Sequence, residues 1–290
     1  MPDIPGLGIT RFATRGSTRL AYEDIGERGA PVVVTLHDLL SDHAVWRPLA
    51  LSLAEAGWRV VSLDARGHGA SAALGARPYP PTELATDVLA ALDHAGVDRL
   101  SLVGHGWGAS TALTVARFEP GRIAGLVLLQ PDLPGILAAD PDPAARWAAR
   151  GSADALAAAA NAADKGMTDR ALDALFDPRL GPGWRDRLPR SRTAAIRRYG
   201  GSLGALLGGA VGHEPATDSL AVLAMPALVL RHRDAPEVDA LVADRLATAL
   251  PAAELATATG IPAAGGHLDA ADPETIETVL AFLTKLRGAG

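Results

Sequence analysis

With 290 residues, 48% of them hydrophobic and 21% charged, the chain is long enough for one large α/β domain carrying an inserted subdomain. Its formal net charge of −6 supplies no basic surface of the kind phosphate contacts need, so no nucleic-acid partner is expected. The absence of cysteine excludes disulfides, a thiol nucleophile and thiolate metal sites.

The opening stretch MPDIPGLGITRFATRG has no basic region followed by an apolar core, so no signal peptide is read there. No apolar run reaches the roughly 18 residues of a membrane span. A cytoplasmic protein without a membrane partner is the expectation. Segments 9–14 and 18–24 then alternate polar and apolar around Gly16 and predict a hairpin. PVVVTL (31–36) is a β-branched run of the kind buried on both faces of a parallel sheet. VWRPLALSLAEAG predicts a helix closed by Gly57, and RVVSLD (59–64) the next buried strand. PTELATDVLAALDHAG predicts a helix with Thr82 as N-cap and Gly96 at its end. A strand at 99–104, a helix from 107 to 118 and a strand at 123–130 follow.

Alternation of strand and helix through short links predicts a parallel, doubly wound sheet. It stops between residues 132 and 223, where the chain is rich in Ala, Arg and Gly and reads as helical throughout. Strand patterns resume at 226–231 and 253–258, with helices near 236–249 and in PETIETVLAFLTKL. The division expected is an α/β core domain, 1–131 and 224–290, with a helical cap subdomain, 132–223, over the C-terminal ends of the strands, where ligands bind in such sheets.

Four stretches, in order and spacing, resemble the α/β-hydrolase family. They are TLHDLLSDHAVWRPLALSLAEAGWRVVSLDARGHGAS (35–71), the glycine-rich turn Gly104-His105-Gly106-Trp107-Gly108, ALVLRHRDAPEVD (227–239) and AAGGHLDAADPETIETVLAFL (263–283). The resemblance implies a nucleophile elbow at 104–108, an acid at Asp234 and a base at His267, in the order the family uses. An acid that orients a histidine lets it act as a general base, and both residues follow strands at the edge that carries the elbow. Asp132 is the second-choice acid position.

Two residues depart from the family pattern. Gly106 stands where the nucleophilic serine belongs, so no acyl-enzyme can form there; glycine accepts the strained turn, and a small cavity is expected in place of the side chain. His37-Asp38 stands where the family has His-Gly, in the loop that helps form the oxyanion hole with the N–H of Trp107. A carboxylate at Asp38 would oppose an oxyanion, but could take up a proton or orient a water; alternatively it caps loop N–H groups. His105 and His68 fit structural positions, Trp107 fits a pocket wall or the core, and His213-Glu214 is a weaker pocket candidate. His37 and His43 have no metal-ligand spacing, so neither metal nor cofactor is expected.

Three functions remain open. The first is an enzyme without a serine, in which a His267–Asp234 dyad performs general acid/base chemistry on a small carbonyl compound (ester, lactone or polyketide-like) through hydrolysis, C–C cleavage or cyclisation. The second is a serine hydrolase disarmed at residue 106, either as an engineered Ser-to-Gly variant or as a ligand-binding pseudoenzyme. The third takes Gly104-x-Gly106-x-x-Ala109 as a dinucleotide fingerprint, a weak match because the motif does not follow the first strand of its unit. The partner expected is a small-molecule substrate, and a homodimer is compatible with the sequence.

Overall fold

The computed structural model describes residues 8–75, 78–188, 190–210, 217–259 and 270–289. The hairpin forms as β1 (Ile9–Arg15) and β2 (Thr18–Ile25), with Gly16 at φ 61° in its turn. The buried runs become β3 (Val32–Leu36), β4 (Arg59–Leu63), β5 (Leu100–His105), β6 (Ile123–Leu129), β7 (Ala227–His232) and β8 (Ala253–Ala258). They form one sheet in the order β1-β2-β4-β3-β5-β6-β7-β8. From β4 onward every pairing is parallel, and the hairpin joins antiparallel through β2.

Helices cover both faces, because each crossover between parallel strands must return over the sheet. On the core they are α1 (Arg47–Glu55), α2 (Pro81–Ala95) and α3 (Trp107–Phe118), then, after the cap, α9 (Glu237–Ala249) and α10 (Pro273–Ala289). One apolar layer joins α2, α3 and α9 to the sheet through residues such as Leu92, Leu113 and Leu246. The other joins α1 and α10 through Leu49, Leu53, Val279 and Leu283.

α2 ends at Gly96, left-handed at φ 65°, as expected. It does not start at Thr82. Pro80 is the N-cap and Pro81 the first helical residue, because proline arrives with φ preset and no N–H to satisfy.

The insertion is helical: α4 (Pro143–Asp164), α5 (Thr168–Leu180), α6 (Trp184–Arg187), α7 (Arg190–Tyr199) and α8 (Leu203–Ala210). Its apolar face, with Leu172, Trp184, Leu203 and Leu207, packs on Leu39, Leu40, Tyr79 and Leu84 of the core. Tyr199 Oη donates to Asp42 Oδ2 at 2.5 Å, and Ser202 Oγ donates to the Gly67 carbonyl at 2.9 Å. The cap is therefore seated on the loops that leave β3 and β4.

Candidate active site

The sheet register decides which loops meet. Leu36 pairs with Leu63 on one side and Gly104 on the other, so β3, β4 and β5 end together. The loop from His37 to Asp42, Asp64 and the turn at Gly106 consequently share one edge. The glycines of that turn serve close approach. A Cβ on Gly104 would overlap the Ala109 backbone, and one on Gly108 would overlap the Leu36 carbonyl. This packing of α3 against the end of β3 accounts for the spacing that formally matches a dinucleotide fingerprint.

Gly106 has φ 52° and ψ −114°, a left-handed turn at the junction of β5 and α3. Its N–H donates to the Leu129 carbonyl at 3.0 Å, and its carbonyl accepts from Ala109 at 3.1 Å and Asp132 at 3.2 Å. The turn from β5 into α3 is therefore sharp, with no side chain at residue 106. The expected small cavity beside it is absent. The carboxylate of Asp38 fills that space: a Cβ on residue 106 would overlap Asp38 Oδ1 and stand 3.0 Å from Oδ2.

Asp38 Oδ1 accepts the N–H of Leu39 at 2.7 Å and the N–H of Trp107 at 3.0 Å. Those are the amide following the His37-Asp38 pair and the amide following residue 106. The expected capping of a loop N–H is present, and the same carboxylate oxygen also takes the Trp107 N–H at the start of α3. The loop itself is firmly held. His37 is buried, its Nδ1 donates to the Asp38 carbonyl at 2.7 Å, and its Nε2 accepts from Ala65 N–H at 3.0 Å. Burial pushes the His37 imidazole below its ordinary range, which matches a neutral ring with one donor and one acceptor. Leu40, at φ 57°, donates its N–H to His68 Nε2 at 3.2 Å. His68 is buried between His37 and Tyr199 and is pushed down to about 3 by burial and then by the neighbouring His37. His37, His68 and His105, which lies edge-on to Trp46, thus occupy the scaffold around the site.

Beyond the first turn of α3 lies a cavity of about 650 Å³ between cap and core. Its wall is mostly apolar, with Trp107, Leu84, Leu133, Leu156 and Leu175, and Trp147 of α4 at its mouth is 77% exposed. The polar end holds Asp132 and Arg179. Arg179, in the last turn of α5, donates to Asp132 Oδ2 at 3.0 Å and Oδ1 at 2.5 Å, and lies 3.8 Å from Asp239. Burial would lower the Arg179 pKa, and Asp132 and Asp239 outweigh it and raise it. Asp239 in turn accepts from Gln130 Nε2 at 3.0 Å.

Asp234 follows β7 as expected, in an exposed turn. Its N–H donates to His232 Nδ1 at 3.0 Å and its carboxylate lies 3.8 Å from Arg233 Nε. His267 and His213-Glu214 lie outside the described residues. Asp132, the second-choice acid, is engaged with Arg179. Arg179, Asp239 and Trp147 were not singled out from the sequence; one arginine and one tryptophan in an Ala/Arg-rich cap carry no spacing signal. Among the described residues no group of three His, Asp or Glu is arranged to hold a metal ion, and no helix is long and apolar enough to cross a membrane.

Comparison with known proteins agrees with the fold. Residues 31–267 match the family described as alpha/beta hydrolase fold. A segment of 95 residues is 34% identical to epoxide hydrolase A of Mycobacterium tuberculosis, covering 32% of this chain and 30% of that protein. Another of 99 residues is 31% identical to 3-oxoadipate enol-lactonase 1 of Acinetobacter baylyi, covering 34% of this chain and 35% of that one. These matches span only about a third of the curated relatives' length. In structure, a thermophilic esterase from Thermogutta terrifontis is similar with TM-score 0.72 and 22% identity over 97% of this chain and 99% of the other. The enol-lactonase from Burkholderia xenovorans LB400 gives 0.70 and 21% over 94% and 100%.

Proposed function

We propose that this chain, which belongs to the α/β-hydrolase fold family, is an enzyme that acts on a small, largely apolar carbonyl compound without a serine nucleophile. The relatives named above are hydrolases of esters, lactones and epoxides by their names, and the cavity of about 650 Å³ has the size of a small-molecule site. In this reading His267 and Asp234 form a base dyad that activates water, and the product leaves through the mouth beside Trp147.

The observation that carries the serine-free reading is the seat of Asp38. Its Oδ1 holds both the Leu39 and Trp107 amides, in the space a side chain at residue 106 would need. A serine added at 106 would have to displace that carboxylate and break two charge-assisted hydrogen bonds. Simple loss of a nucleophile leaves a vacancy; here the vacancy is filled by a second departure from the family pattern. The retained elbow backbone is the observation that favours the other reading, a serine hydrolase disarmed at residue 106.

The two readings separate in one paired assay. The protein and its Gly106→Ser variant are compared on p-nitrophenyl esters, activated lactones and β-dicarbonyl compounds, and with a fluorophosphonate probe. The serine-free reading expects turnover by the unaltered protein, loss of it in His267→Ala, and no labelling of folded Gly106→Ser. Strong labelling and faster ester hydrolysis by Gly106→Ser would establish the disarmed hydrolase instead.

A further inference from the structure

The elbow has no side chain, and the adjacent loop places a carboxylate on the elbow's own amide. From this juxtaposition we propose that Asp38 is the nucleophile, carried on the loop after β3 instead of on the elbow, and that its substrate is a strained ring attacked at a saturated carbon, an epoxide or a β-lactone. The inference rests on the serine-free part of that reading; it assigns the reacting group and moves the electrophile from a carbonyl carbon to a saturated ring carbon.

Three features support it. A loop aspartate that merely caps its turn needs the Leu39 amide beside it, 2.7 Å away; the bond to Trp107 at 3.0 Å crosses to a different element. That second bond aims the carboxylate at the elbow. Next, Oδ2 lies 3.0 Å from the place where a side chain on residue 106 would begin, so the carboxylate occupies the nucleophile's ground and Gly106 is what makes room for it.

The third feature is chemical. A substrate attacked at a carbonyl carbon needs the two amides for its own oxyanion, and Asp38 Oδ1 already holds them. A substrate attacked at a saturated carbon develops no such oxyanion. The need arises afterwards, on the Asp38 carboxyl carbon itself, where Oδ1 already sits between the donors.

The steps balance. Asp38 Oδ2 bonds to the ring carbon, and the ring C–O bond breaks with its electron pair going to the ring oxygen. That oxygen leaves as a carboxylate from a β-lactone, or as an alkoxide that takes a proton from water in an epoxide. A water molecule, giving its proton to the base, adds to the Asp38 carboxyl carbon. Collapse breaks the bond from the carboxyl carbon to the former Oδ2, which leaves on the substrate and takes up that proton; Asp38, now holding the water's oxygen, gives its own proton to the hydroxide left by the epoxide step or, for a β-lactone, to solvent. The net change is addition of one water.

The test uses the full chain in excess over styrene oxide, phenyl glycidyl ether or β-butyrolactone, in heavy-oxygen water, followed by proteolysis and mass spectrometry. The expected result is heavy oxygen in the peptide containing Asp38 and ordinary oxygen in the first-turnover product. Asp38→Asn keeps an acceptor for both amides, so it should fold, and it should lose at least about 10³-fold in turnover. Asp38→Gly should be inactive, and adding Gly106→Asp should restore part of the activity by returning the carboxylate to the elbow. Turnover with heavy oxygen only in the product, or full activity in Asp38→Asn, overturns the inference while leaving the enzyme reading intact. Absence of both turnover and any adduct on Asp38 also overturns it, and the ester and lactone panel then judges the enzyme reading separately.

Discussion

Arg179 and Asp132 join the cap to the core by a two-bond ion pair, at 3.0 and 2.5 Å, at the polar end of the cavity. Both side chains are largely withdrawn from water, 15% and 16% exposed. Removing one partner of such a pair strands the other, so Arg179→Met should destabilise the protein by about 3–5 kcal/mol. The check is urea unfolding. Adding Asp132→Asn should return part of the loss, because the stranded charge is gone, while Asp239 keeps its bond from Gln130. A loss that Asp132→Asn does nothing to relieve would mean that the arginine matters for packing alone.

The steric claim about the elbow can be tested apart from any activity. Gly106→Ala brings two penalties: a non-glycine residue at φ 52°, worth about 1–3 kcal/mol, and a Cβ that overlaps Asp38 Oδ1. In an Asp38→Gly background only the first penalty remains. The double-mutant cycle should therefore show a coupling in the range of about 0.5–3 kcal/mol, with Asp38→Gly softening the effect of Gly106→Ala. Additive effects would show that Asp38 gives way without loss.

Much of this arrangement was legible in the sequence. The β-branched runs marked the buried strands, Gly96 marked the end of α2, and the break in alternation marked the cap, because each reflects a local rule of backbone or burial. Asp38 and Gly106 were both visible as departures. Their contact was not: they are 68 positions apart in sequence, and only the register of Leu36 against Gly104 brings them together. Reading Gly106 alone suggested a cavity, whereas the sheet edge supplies a second residue to fill it. Thr82 failed as a cap because the two prolines before it start the helix on their own. Arg179 was beyond reach, since its partners lie 47 and 60 positions away and the cap has no periodic pattern that points to them.

The buried histidines set a pH dependence of known sign. His68 is held down to about 3, by burial first, and His37 is lowered for the same leading reason. The unfolded chain binds these protons near 6.5 and the folded one does not, so stability falls as pH drops below 6.5. His43 acts in the opposite sense: its hydrogen bond to Asp64, at 2.7 Å, raises it, and this contribution is full below 6.5 and lost as pH rises through the folded value. Two lowered rings oppose one raised ring, so denaturant titrations at pH 7 and pH 5 should show lower stability at pH 5. His68→Gln, which can still accept from Leu40, should be less stable at pH 7 but show a shallower slope. An unchanged slope would mean that His68 does not carry the effect.

Trp147 concerns the substrate instead of the fold. It is 77% exposed on α4, yet it borders the mouth of a mostly apolar cavity. An indole left in water at such a mouth loses little when truncated in the free protein, so Trp147→Ala should change stability by no more than about 0.5 kcal/mol. A bound apolar ligand would cover the ring, and burying an aromatic side chain brings roughly 1.5–3 kcal/mol when complete. With only part of the indole covered, KM for an apolar substrate should rise by about tenfold, the equivalent of 1.4 kcal/mol, while kcat stays within about twofold because Trp147 belongs to the cap helix α4 and not to the loop and turn that carry Asp38 and Gly106. Intrinsic fluorescence gives an independent reading: ligand binding should shift the emission of the unaltered protein, and that shift should shrink in Trp147→Ala. A variant that loses kcat with KM unchanged would place Trp147 in the chemistry and not at the entrance.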